Sequence, residues 1–112
     1  MSNHSVAHSA LVNEILIAVT ALPGATMWRH PTGQAVTRTG AVIRFGFPGS
    51  GDIVGVYRGR AVAIDAKTGT GRLSDDQKTF RANWERSGGL YIVARCVDDA
   101  LSGLASIRAI AA

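Results

Sequence analysis

Gly51-Asp52-Ile53-Val54-Gly55-Val56-Tyr57-Arg58-Gly59-Arg60-Ala61-Val62-Ala63-Ile64-Asp65-Ala66-Lys67 is the stretch that decides how this chain folds. Two apolar, β-branched runs flank Arg58-Gly59, which reads as the two-residue turn of a β-hairpin. Counting outward from the turn pairs Tyr57 with Arg60, Val56 with Ala61, Gly55 with Val62, Val54 with Ala63 and Ile53 with Ile64. The next pair is Asp52 with Asp65. Directly opposed residues share a sheet face, with Cβ atoms roughly 4.5–5.5 Å apart. Two carboxylates so placed repel, and a divalent cation with oxygen ligands compensates them. Lys67 shares the face of Asp65, because side chains alternate with period two. Two acids and a lysine converging on one face is the layout of a metal-dependent phosphodiesterase.

The rest of the hairpin is apolar on both faces. Val54, Val56, Ala61 and Ala63 lie on the acidic face, and Ile53, Tyr57, Val62 and Ile64 on the other. Such strands are expected in a central sheet covered on both sides.

Upstream, Leu11, Ile15, Val19 and Leu22 recur at helical spacing, so residues 5–22 read as a helix that Pro23-Gly24 stops. A second stripe, Ala10, Glu14, Ala18 and Ala21, is small enough to bring Glu14 against the sheet. Met27-Trp28-Arg29 reads as a strand, with Trp28 in the core. His30-Pro31-Thr32-Gly33 is turn-like, and residues 44–51 read as a Gly/Pro-rich loop. Downstream, a Gly/Thr loop over 68–72 precedes Ser74-Asp75-Asp76-Gln77, a capping box that opens a helix to about Arg86. Ser87-Gly88-Gly89 ends it. Residues 90–95 read as a strand and 97–107 as a last helix. The unit from Arg60 to Arg95 should be a right-handed crossover between parallel strands.

The 112 residues suit one domain, 1–112, and a 46% hydrophobic fraction supports a core. Net charge is +4 and ten of the twelve basic residues are Arg, which suits bidentate phosphate contact. The single cysteine, Cys96, excludes an intrachain disulfide and a Cys-rich zinc site, and reads as an inert core residue. His30, alone before Pro31, speaks against a zinc site, and His4 and His8 read as incidental. No basic region followed by an apolar run opens the chain, and the longest apolar stretch, residues 15–22, is too short to span a bilayer. A soluble, cytoplasmic protein without membrane partners is expected.

The ordered series of motifs resembles the PD-(D/E)XK nuclease superfamily, and within it a small stand-alone VRR-Nuc domain of the kind carried by phages. The resemblance rests on residues 28–33 (Trp-Arg-His-Pro-Thr-Gly), residues 44–56, Asp65-Ala66-Lys67, Leu73-Ser74-Asp75-Asp76-Gln77 and Gly88-Gly89, and covers about 10–105. It implies an α/β restriction-endonuclease-like core, a central mixed sheet with helices on both faces. It also implies hydrolysis of DNA phosphodiesters with Mg2+ or Mn2+, on branched DNA or Holliday junctions, in a phage or its bacterial host. Asp52 and Asp65 match the metal-binding acids, Lys67 the motif lysine, Glu14 the first-helix acid and Gln77 the glutamine of the following helix.

The chemistry fits those roles. A cation on Asp52, Asp65 and the Ala66 carbonyl, with Glu14 acting through water, polarises a phosphate oxygen and acidifies a bound water. Lys67 stabilises developing negative charge, and Gln77 orients the water or Lys67. Arg29, Arg44 and Arg72 are the candidate phosphate contacts. Two departures stand out: Gly51 where the pattern has Pro, and Asp65 where this branch more often has Glu. The shorter acid leaves open a non-catalytic nucleic-acid-binding module on the same fold, and an RNA nuclease is a further alternative. Symmetric cutting of two strands needs two active sites, hence a homodimer.

Overall fold

The hairpin forms in the register counted from its turn. In the computed structural model, which describes residues 3–31 and 33–107, Tyr57 pairs with Arg60 and the ladder runs to Ile53 with Ile64. Arg58 and Gly59 both adopt positive φ, 52° and 87°, as the mirror-image turns that match strand twist require. The Arg58 N–H donates to Gly24 O at 2.9 Å, tying the turn to the end of the first helix.

In chain order the elements are α1 (Asn3–Thr20), β1 (Ala25–Arg29), β2 (Gly33–Val36), β3 (Val42–Phe45), β4 (Ile53–Tyr57), β5 (Arg60–Ala66), α2 (Asp75–Arg86), β6 (Leu90–Ala94) and α3 (Val97–Ala105). Four strands form a mixed sheet in the order β1-β4-β5-β6. The β1/β4 and β4/β5 pairs are antiparallel, and β5/β6 is parallel, joined through α2 as expected. This is an α/β fold. No helix among the described residues is long and apolar enough to cross a membrane.

One sheet face carries the core. Val12, Ile15 and Val19 of α1 and Ala100 and Leu104 of α3 pack on Ile53, Val62, Ile64 and Ala66. Burying each large aliphatic side chain stabilises the fold by about 1.5–3 kcal/mol. Gly55 sits at the middle of β4 because its neighbour strand leaves no room. A Cβ there would fall 2.6 Å from Met27 Cα and against Thr26 O, where the buried Met27 side chain crosses the strand.

The opposite face is covered only in part, which corrects the expectation of a sheet buried on both sides. α2 lies over β6, where Phe80 stacks on Trp84 (5.2 Å) and tilts toward Tyr91 (6.1 Å), and the Trp84 indole N–H donates to Leu90 O at 3.0 Å. The β1–β4 half of that face is open. Val56 is 44% exposed and Trp28 51%, so Trp28 is a surface residue and not part of the core.

Two further expectations change. Residues 44 and 45 belong to β3 and not to a loop, and β2 and β3 form a separate two-stranded ribbon. Cys96 is exposed: β6 ends at Ala94 and the chain turns outward before Cys96 caps α3.

Gly55→Ala should lower stability by about 2 kcal/mol or more, since overpacking here meets backbone rather than a movable side chain. Urea unfolding of the two proteins measures it. A loss below about 0.5 kcal/mol, the usual scale of a surface change, would contradict the tight β1–β4 approach.

Candidate active site

The acids meet where β4 begins and β5 ends, but not as a directly opposed pair. The β4/β5 ladder stops at Ile53 with Ile64. Asp52 N–H donates to Ile64 O at 2.8 Å, so that this carbonyl faces two successive residues, as at a β-bulge. The Asp52 carboxylate then reaches past Asp65, and its Oδ2 accepts the Ala66 N–H at 2.7 Å. Asp52 O also accepts the His30 N–H at 2.8 Å.

Gly51 makes this bend possible. Its φ is +96°, and a Cβ would lie 2.9 Å from Ile64 O. Proline, with φ fixed near −65°, cannot adopt that backbone. Glycine at this position is therefore a local backbone requirement.

Asp65 is 2% exposed. Its Oδ1 accepts the Gln77 Nε2 at 3.0 Å. Its Oδ2 lies 3.3 Å from Lys67 Nζ, an ion pair without hydrogen-bond geometry, and this buried oxygen has no hydrogen-bond partner. Burial, opposed by the Lys67 ammonium and reinforced by Asp52, pushes the Asp65 carboxyl up to about 6. The same burial and the facing acids raise the Tyr91 phenol above its ordinary range.

Gln77 holds the constellation together. Its Oε1 accepts both Lys67 Nζ (2.9 Å) and Ser74 N–H (2.8 Å), its Nε2 faces Asp65, and its own N–H donates to Ser74 Oγ at 3.2 Å. The capping box and the contact with the acids are one side chain's work, not competing explanations of it. Two donors on Oε1 and a carboxylate before Nε2 also fix the orientation of the amide.

The expected first-helix acid is not the α1 residue that reaches the acids. Glu14 is exposed, as are Ala10 and Ala21 of its stripe. The branched apolar stripe, not the small-residue one, faces the sheet. His8 continues that stripe one turn before Val12, and its Nε2 lies 3.4 Å from Asp52 Oδ2. His8 was legible as a member of the 8, 12, 15, 19 spacing that faces the core.

A cleft of about 450 Å³ opens beside the acids, lined among others by Gln34, Arg44, Asp52, Asp65, Asp76 and Gln77. A second hollow of about 510 Å³ has His8, Lys67 and Arg72 in its wall. Arg44 and Arg72 thus lie where they can meet a phosphate. Arg29 is exposed and donates to Asn13 Oδ1 at 3.4 Å, and it lines neither hollow.

The donor set fits a hard cation. Asp65 offers a buried oxygen that accepts no hydrogen bond, and Asp52 a second carboxylate beside it. Among the described residues no group of three or more His, Cys, Asp or Glu makes a complete cage. Two carboxylates with water and substrate oxygens is the usual way Mg2+ is held. Comparison with protein-family models and with curated proteins returns no match.

Asp65→Asn should stabilise the metal-free protein at neutral pH. A carboxyl raised from 3.8 to about 6 binds its proton more tightly in the folded state. Its contribution is full below pH 3.8 and is lost as pH rises through about 6. Thermal melts in chelator between pH 4 and 8 should show a larger Tm gain for the variant at pH 7 than at pH 4. An equal or reversed difference would contradict the raised carboxyl. Gln77→Ala keeps the Ser74 cap on its backbone N–H but removes the acceptor of the Ser74 N–H, which should cost about 1 kcal/mol and raise amide exchange at Ser74. Unchanged exchange there would contradict that bond.

Proposed function

We propose that this protein is a metal-dependent endonuclease acting on DNA, of the VRR-Nuc type within the PD-(D/E)XK superfamily. The observation that carries the reading is the buried Asp65 Oδ2 without a hydrogen bond, set beside Asp52 and Lys67. A buried carboxylate oxygen that accepts no hydrogen bond, even with the Lys67 ammonium 3.3 Å away, is costly, and a bound metal ion would offset that cost. The acid-bearing hairpin followed by a helix and a parallel strand supports the same reading.

Asp52 and Asp65 would hold Mg2+ or Mn2+, which when bound supplies charge neutralisation at a phosphate oxygen and lowers the pKa of water. The protein's own groups do the rest. Ala66 N–H anchors the Asp52 carboxylate, leaving it one fixed orientation. Gln77 Oε1 anchors the Lys67 ammonium at the rim, where it stabilises charge developing on the phosphate. Arg44 and Arg72, in the walls of the two hollows, draw the strand across the acids. Branched DNA is the substrate and the cell interior the place of action that this reading carries with it. Cutting two strands symmetrically takes a second copy of the chain.

A four-way junction and a linear duplex, each incubated with purified protein with and without Mn2+, test the reading. Metal-dependent cleavage should appear, and Asp65→Ala and Lys67→Ala should each reduce it by about 100-fold or more. The shorter acid at position 65 favours one rival, a module that binds but does not cut. Retained binding with no cleavage in any divalent metal would establish that rival. Cleavage of RNA in preference to DNA would reassign the substrate.

A further inference from the structure

The β2–β3 ribbon stands outside the main sheet, and no strand of that sheet pairs with it. A lone two-stranded ribbon is marginal in water. Its tip is nevertheless built with care for hydrogen bonding. Thr37 N–H donates to Ala41 O (2.8 Å), Gly40 N–H to Thr37 O (3.0 Å) and Ala41 N–H to Thr37 Oγ1 (3.0 Å). Gly40, at φ +88°, closes the turn. Arg38 is exposed at this tip.

The base of the ribbon enters the candidate site. Gln34 pairs with Arg44, and both line the cleft with Asp52 and Asp65. Val36 and Val42, paired two residues further out, share that face. Ile43 is on the other. The exposed apolar residues are thus split between faces, and the ribbon offers no single apolar surface of the kind a second protein covers. Its charge is one-sided instead. From residue 33 to residue 45 the ribbon carries Arg38 and Arg44 and no acidic residue.

Dimensions select the partner. Two strands about 4.8 Å apart make a ribbon that the B-DNA major groove, about 12 Å wide, admits. From Gly33 to Thr37, one residue past β2, the extended chain spans about 13 Å, the rise of about four base pairs. The major groove of A-form RNA is deep and narrow and does not admit it. We propose that the β2–β3 ribbon lies in the major groove of double-stranded DNA, with Arg38 gripping the duplex about four base pairs from the phosphate in the cleft. The register rests on the reading of the cleft as a phosphodiester site.

The test is fluorescence anisotropy in chelator, comparing the parent protein, Arg38→Ala and Arg38→Glu on a DNA duplex and an RNA duplex of about 20 base pairs each. The parent should prefer the DNA duplex. Arg38→Ala should weaken that binding several-fold and lower the salt slope by about one, with a larger loss for Arg38→Glu. Metal-dependent cleavage by the parent and light scattering of every variant are measured in parallel. DNA affinity unchanged in Arg38→Glu overturns the proposal, even when the parent cleaves. Weakened affinity in a protein that never cleaves upholds the ribbon's role and removes the nuclease reading. Unchanged affinity with an altered mass assigns the ribbon to a second copy and overturns it. Equal loss on DNA and RNA overturns the groove assignment.

Discussion

A carboxylate held almost wholly out of water is the constraint around which this molecule is arranged. Asp65 lies at the end of β5, the strand that has an antiparallel neighbour on one side and a parallel one on the other. Both flanks exclude solvent. Its environment supplies one hydrogen bond from Gln77 and a nearby ammonium, and leaves one oxygen without a donor. Folding carries that cost because α1 and α3 stabilise the opposite face with a continuous aliphatic core. The site draws on stability generated on the far side of the sheet.

The two acids are set by different means. Asp65 is placed by regular strand alternation within β5. Asp52 is placed by an interruption: a left-handed glycine, a bulge-like double contact on Ile64 O and a side-chain bond to the Ala66 amide. The regular acid is therefore buried and the irregular one half-buried, and His8 reaches only the latter.

This difference also explains what was legible in the sequence. The hairpin register is written locally, in turn residues and apolar runs, and these specify it from Tyr57–Arg60 to Ile53–Ile64. The offset at Asp52 depends on the φ of Gly51 and on a side-chain bond across strands, neither of which has a residue pattern. The β2–β3 ribbon escaped because neither of its faces is packed in the core, so no alternation marks it. Trp28 reads as interior from its type and Cys96 from the apolar run it follows, but partial cover of the sheet and the end of β6 at Ala94 leave them outside. The Gln77 cap was plain in Ser-x-x-Gln, while its simultaneous hold on Lys67 and Asp65 required the fold.

That shared side chain has a mechanical consequence. The start of α2 and the Lys67 ammonium are fastened to the same amide, so a tilt of the helix is transmitted to the ammonium as a displacement. The other end of the lever is the aromatic stack of Phe80 and Trp84, with Trp84 bonded to β6. The Lys67 ammonium and an indole two turns away are thus mounted on one helix, so the cleft and the aromatic cover of β6 share a single rigid support.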